Sequence, residues 1–321
     1  AWDETFAYAT ASLRFEYAGV RSDGIEIHKS TGVVRGAAFS DWHTSTYSFN
    51  VTGEKIPVES LDTWRYPQAP LSGVLNFTAN GTGSSLDPTY EARGTIADLY
   101  LGDEGVGQMS GRLRYVKETI VIEQLEAASP RLSVSGAGRV AMNDQMDAEL
   151  SFRFTNTRVD PYLRVLAPTL AISPYASASL SGSIRITGEL MDYRYTSADI
   201  AIDKADLALF DYPLRNDGPI RVSFTDNTVR LGRLKLAGDG TELDVSGQVG
   251  LTEEQVGITA RGRANLAVLQ AFFPDLRSSG EAELTASVAG DMREPQFSGS
   301  AALTKGRIRH FSLPHSVDDI N

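Results

Sequence analysis

Apolar residues recur at every second position through one short run after another, and this feature constrains the chain more than any other. Leu150-Ser-Phe152-Arg-Phe154, Ile184-Arg-Ile186, Ile200-Ala-Ile202, Ile220-Arg-Val222-Ser-Phe224 and Leu243-Asp-Val245 all follow it. A strand turns successive side chains to opposite faces, so such runs make sheets with one apolar and one polar face. Asn80-Gly81, Asn143-Asp144, Asn216-Asp217-Gly218, Asp226-Asn227 and Gly238-Asp239-Gly240 have the composition of tight turns between them. The pattern predicts an antiparallel meander of about twenty strands, spaced about 4.8 Å apart. Parity changes within Val229-Arg-Leu231-Gly-Arg-Leu234-Lys-Leu236, where we expect a bulge.

Three segments read as short helices: Val58 to Trp64, Asp160 to Leu166 and Leu266 to Phe273. Asp160 suits an N-cap and Pro161 the first helical position. Each segment follows a Gly-marked strand and a hairpin, with the glycines at Gly36, Gly136 and Gly247. Each precedes a second marker, at Gly73, Gly182 and Gly280. The first set is spaced by 100 and 111 residues, the second by 109 and 98. This predicts repeats of about a hundred residues, several strands plus one short helix, with boundaries 1–69, 70–168, 169–276 and 277–321.

The chain has 321 residues and a formal net charge of −11. Its basic residues are scattered among acidic ones, which argues against nucleic acid as a partner. With no cysteine, neither disulfides nor cysteine-ligated metals can form. No stretch approaches the roughly 18 apolar residues of a membrane helix, and the two ends read as those of an internal piece of something longer. His28, His43, His310 and His315 lack metal-ligand spacing. The glycines of Gly136-Ala-Gly138 and of the 102–107 stretch read as strand kinks or turns rather than a phosphate cradle. No nucleophile elbow or zinc-protease motif is present, and the carboxylates are dispersed. The sequons at Asn50, Asn76 and Asn80 read as chance matches in Thr-rich strands. We therefore expect no enzyme, no cofactor and no metal.

Two architectures satisfy the alternation. In one, a sandwich or barrel closes over its own apolar faces. In the other, the sheet curls lengthwise and leaves the apolar face as an open trough, which requires an apolar ligand. Acyl chains suit such a trough, gaining about 0.8 kcal/mol for each CH₂ withdrawn from water.

Residues 279–308 run Ser279-Gly280, Leu284, Val288, Gly290, Pro295, Phe297, Gly299, Leu303, Gly306, Ile308. That pattern resembles the repeat of the TamB family and its AsmA-like relatives: a strand ending in Gly, a polar turn with Pro, then a strand closing on a Gly turn. Residues 266–276 resemble the short helix before it, and weaker copies run at 160–202 and 58–101. The resemblance implies an elongated, curled antiparallel sheet with a taco-like groove. It also implies a periplasmic, bridge-like protein of a Gram-negative-type bacterium, anchored to the inner membrane by a segment outside this chain. Such a protein carries phospholipid between inner and outer membrane. The implied partners are phospholipid acyl chains, flanking repeats of the same chain and an outer-membrane β-barrel protein. An envelope scaffold or assembly module with a closed core is the alternative.

Alternation nominates the inward apolar set. It comprises Phe15, Ile25, Ile27, Phe49, Leu75, Phe77, Ile120, Ile122, Leu132, Val134, Leu150, Phe152, Phe154, Ile184, Ile186, Ile200, Ile202, Val222, Phe224, Leu243, Val245, Ile258, Leu284 and Val288. A register slip of one residue would invert the assignment.

Overall fold

A computed structural model describes residues 4–62, 70–84, 86–166, 176–209, 212–267, 275–312 and 315–320. Among the described residues, twenty strands form one antiparallel sheet. The chain divides into two compact units, residues 1–152 and 153–321.

The first unit holds β1 (Tyr8–Phe15), β2 (Gly19–Lys29), β3 (Gly32–Asp41), β4 (Thr46–Pro57), β5 (Leu71–Ser84), β6 (Asp87–Leu101), β7 (Glu104–Val116), β8 (Thr119–Ser129) and β9 (Leu132–Ala141). Each pairs with the next in sequence. β10 (Asp147–Arg158) begins in this unit and pairs with β9. The second unit continues with α1 (Asp160–Leu166), β11 (Ala176–Glu189), β12 (Thr196–Leu209), β13 (Tyr212–Asn216), β14 (Ile220–Thr225), β15 (Thr228–Gly238), β16 (Thr241–Gly250), β17 (Gln255–Asn265), β18 (Leu276–Asp291), β19 (Gln296–His310) and β20 (Val317–Ile320). β13 and β14 are two halves of one rung. Both pair with β12 on one side and β15 on the other. The Asn216 amide staples the break, accepting from Ala205 N at 2.7 Å and donating to the carbonyls of Asp203 and Gly218 at 3.0 and 2.8 Å.

The expected turns mostly form. Asp226 and Asn227 have φ of 51° and 55°, the doubly positive geometry that matches a hairpin's twist. Asn80-Gly81 is a correction. Both residues lie inside β5, facing Asn50 and Phe49 of β4. The Asn50 amide donates to Asn80 Oδ1 at 2.5 Å, and the absent Cβ of Gly81 leaves room for the Phe49 ring. That glycine serves a neighbour's side chain rather than a turn. The bulge expected between Leu231 and Leu234 is present and keeps both leucines on one face. Bulges also fall beside Gly73, Gly182 and Gly280, the three second markers.

Of the expected helices, Asp160 to Leu166 forms. The Asp160 carboxylate accepts from Ala178 N of β11 at 3.2 Å, tying the helix to the strand that follows it. Val58–Ser60 makes a single 3₁₀ turn, and Leu266 and Ala267 are helical. The remainders of those two segments, from residue 63 and from residue 268, lie outside the described residues.

Burial is concentrated near these turns. In the first unit Val58 (1% exposed) packs with Ile96 and Leu99, ringed by Leu71, Leu75, Val106 and Met109. In the second, Leu266 is buried and its carbonyl accepts from Ser278 Oγ at 2.7 Å. The neighbouring Asn265 N donates to the buried Thr241 hydroxyl at 3.0 Å. Away from these places most apolar strand residues are only half-buried.

Candidate functional site

Residues directly opposite on adjacent strands share a face. The ladder can therefore be followed rung by rung. In the first unit one row runs Ile25–Gly36–Val51–Ala79–Ala92–Leu113–Ile122–Gly138. In the second, a row runs Ile184–Ile200–Val222–Leu231–Gly247–Ile258–Val288–Phe297. Neither row contains a charged or hydrogen-bonding side chain. Eight rungs span about 34 Å at strand spacing.

Tracing the remaining rungs puts the other nominated residues of each unit on the face that carries its row. Phe15 reaches it through its partner Val20, and Ile27 and Phe49 through Val34 and Ala38. Leu75 and Phe77 follow through Ile56 and Gly53, and Ile120 through Tyr115. Val134 lies opposite Ala127, with Leu132 beside it on the same strand face, and Leu150 and Phe152 lie against Gly138 and Gly136. In the second unit Ile186, Ile202, Phe224, Leu243, Val245 and Leu284 alternate with row members or face their neighbours. Phe154 is buried at 9% exposure and so belongs to the packed interior, whereas Phe15 is 74% exposed. The rest of the set is half-buried.

Aromatic rings lie flat along this face where glycines make space. Phe77 covers Gly53, Phe49 covers Gly81 and Phe152 covers Gly136. Sequence reasoning missed this, although the cross-strand Phe–Gly pairing was its available signal. It also missed an aromatic cluster that joins Phe49 to Tyr47, Tyr90 and Tyr115, with ring centroids 5.2–6.4 Å apart. Burial, with Tyr90 beside it, pushes the Tyr47 phenol up to about 12. Its hydroxyl oxygen has no hydrogen bond of good geometry among the described residues.

The opposite face is polar and stitched by charge pairs. Arg35 sits opposite Glu26 at 3.3 Å, Arg139 meets Glu149 at 2.7 Å, and Arg233 pairs with Asp244. This arginine holds the Asp244 carboxyl below its ordinary value. The cavity of about 710 Å³ in the first unit is lined mainly by residues of this polar face.

The buried Lys29 centres an ionic cluster whose carboxylates are partly exposed. Lys29 donates to Glu4 at 2.6 Å, Asp62 at 3.3 Å and the Thr5 carbonyl at 2.8 Å. Desolvation opposes the lysine's charge, but the hydrogen bonds to Glu4 and Asp62 outweigh it and its pKa rises. The Thr5 amide and hydroxyl, then Lys29, hold Asp62 down at about 2.

Three of the four histidines have local partners among the described residues. His28 bonds Glu26 at 2.7 Å and stacks on Tyr8, His43 lies beside Tyr17, and His310 bonds Ser312. Among the described residues no group of three His, Asp or Glu is placed to hold a metal ion, and no helix is long and apolar enough to cross a membrane. No family model, curated protein or solved structure matches the chain.

Proposed function

We propose that the apolar face carries phospholipid acyl chains, and that the chain is a segment of a periplasmic, bridge-like lipid-transfer protein of the TamB/AsmA-like kind. The observation that carries the reading is the row from Ile184 to Phe297, uninterrupted by polar side chains and left partly exposed. A face with several apolar rows, uncovered over tens of ångströms, exceeds what a monomeric soluble protein ordinarily leaves to water. Tails would lie along the row while headgroups stay at the wet margin, so movement would be passive sliding. Curling of the sheet into a trough belongs to this proposal.

So does the repeat. Six rungs separate the turn at Val58 from α1, and six more, counting β13 and β14 as one, separate α1 from Leu266. An even number of antiparallel rungs returns the chain to the same sheet margin each time. Bulges at Gly73, Gly182 and Gly280 then recur on the first strand after each turn.

The test uses neighbours on opposite faces. Val222 lies in the apolar row and Ser223 faces the other way. The purified chain should carry phospholipid detectable by mass spectrometry. Val222→Asp should abolish it, and Ser223→Asp should leave it. Equal lipid in both folded variants, or none in the parent, would sink the reading.

A further inference from the structure

On the polar faces, several arginines meet a carboxylate across the strands. Arg263 opposite Glu242, at 3.6 Å, adds to the pairs described above. Arg93 and Arg112 do not. They face each other directly across β6 and β7, and both line the 710 Å³ cavity of the first unit. Like charges directly opposite on a sheet destabilise it. Among the described residues neither guanidinium has a carboxylate partner.

Their surroundings concentrate positive charge in a chain of net −11. Lys55 lines the same cavity, and it too has no carboxylate partner among the described residues. Glu54, the carboxylate in the lining, lies 3.8 Å from Arg35. The row of Arg93 and Arg112 continues through Thr78 and Thr52, and the next row on that face brings Thr95 opposite Ser110. Between the rows the backbone of Gly94 and Gly111 forms the floor, where a ligand can approach closely. Planar guanidinium forks match phosphate oxygens bidentately, and hydroxyl side chains suit the hydroxyls of an organic moiety. The volume lies within the range of small-molecule sites.

We propose that this cavity binds a phosphate ester with a hydroxyl-bearing organic part, its phosphate held between Arg93 and Arg112. The site is on the face opposite the apolar rows and does not depend on lipid being carried there. The ester can be a soluble metabolite or a lipid headgroup, and the two sources separate experimentally.

Glycerol 3-phosphate and inorganic phosphate would be titrated into the full chain by calorimetry at low ionic strength. In parallel, the chain would be sedimented with phosphatidylglycerol and with phosphatidylcholine vesicles. Saturable binding of glycerol 3-phosphate, weakened about tenfold or more in Arg93→Gln and Arg112→Gln, supports a soluble ester. Arginine-dependent binding to phosphatidylglycerol vesicles alone supports a headgroup. Melting curves separate a binding role from a structural one. Relief of like-charge repulsion should leave the ligand-free variants at least as stable as the parent, while the rise in melting temperature with ester disappears. The proposal is overturned by no binding to either source, by undiminished binding in both variants, or by variants that melt well below the parent.

Discussion

The Phe77 ring of β5 lies over Gly53 of β4, its direct cross-strand partner, so closely that a Cβ on Gly53 would overlap the ring. Phe49 over Gly81 repeats the relationship with the strands exchanged. Strand glycines ordinarily weaken a sheet. Here the neighbouring ring covers the gap, and the face stays apolar and shallow. Gly53→Ala should therefore cost about 1–3 kcal/mol, as overpacking does. In a Phe77→Ala background the same substitution should be nearly neutral. Denaturant titration of the four-member cycle measures that coupling, and additive effects would contradict the ring-over-glycine account.

Ile96 and Ile258 face the same test with opposite expectations. Ile96 is 6% exposed and packs under the turn at Val58, whereas Ile258 is half-buried in the apolar row. Ile96→Ala should cost about 2–5 kcal/mol, the range for emptying a packed site. Ile258→Ala should cost less, about 1–2 kcal/mol, because part of its side chain stays in water in the fold and no closed cavity is left behind. Chemical denaturation of both variants compares them. Equal losses would mean that the row is packed shut.

Lys29, Glu4 and Asp62 give the fold a pH dependence whose sign can be worked out. Asp62 is held at about 2, below its ordinary 3.8, so its contribution is complete above the ordinary value and disappears as pH falls toward 2. The raised pKa of Lys29 acts at the other end. Its contribution is complete below the ordinary 10.5 and is lost as pH climbs through the raised value. Asp62→Asn should flatten the acid limb of melting temperature against pH between about 4 and 2 and lower the plateau between the limbs. An unchanged acid limb in that variant would assign the dependence elsewhere.

Alternation made the faces legible in advance. Ile184, Ile200 and Val222 could be assigned to one side before any pairing was known, and the parity change at Leu231 located its bulge. Asn80-Gly81 was misread because a turn and a ring-accommodating glycine have the same local composition. Only the partner strand, with Phe49, tells them apart. Phe154 alternates in step with Phe152 but is buried, since period two reports the face and not what covers it. Arg93 and Arg112 were invisible for the same reason. They lie 19 residues apart, and register alone brings them together.

Asn216 tests how much the broken rung depends on one amide. β13 and β14 part at Asp217-Gly218-Pro219, which leaves the Ala205 N–H and the Asp203 carbonyl of β12 without strand partners at the break. The Asn216 side chain satisfies both groups, and the Gly218 carbonyl besides. Asn216→Ala would strip partners from backbone groups that are partly shielded from water, at about 1–3 kcal/mol. Asn216→Asp keeps the acceptor for Ala205 N but loses the donor, so its loss should be intermediate at neutral pH. It should shrink as the carboxyl protonates and can donate again. Amide hydrogen exchange at Ala205 gives the local readout: fast exchange in the alanine variant, retained protection in the aspartate. If protection survives in Asn216→Ala, the strands themselves hold the break and the amide is incidental.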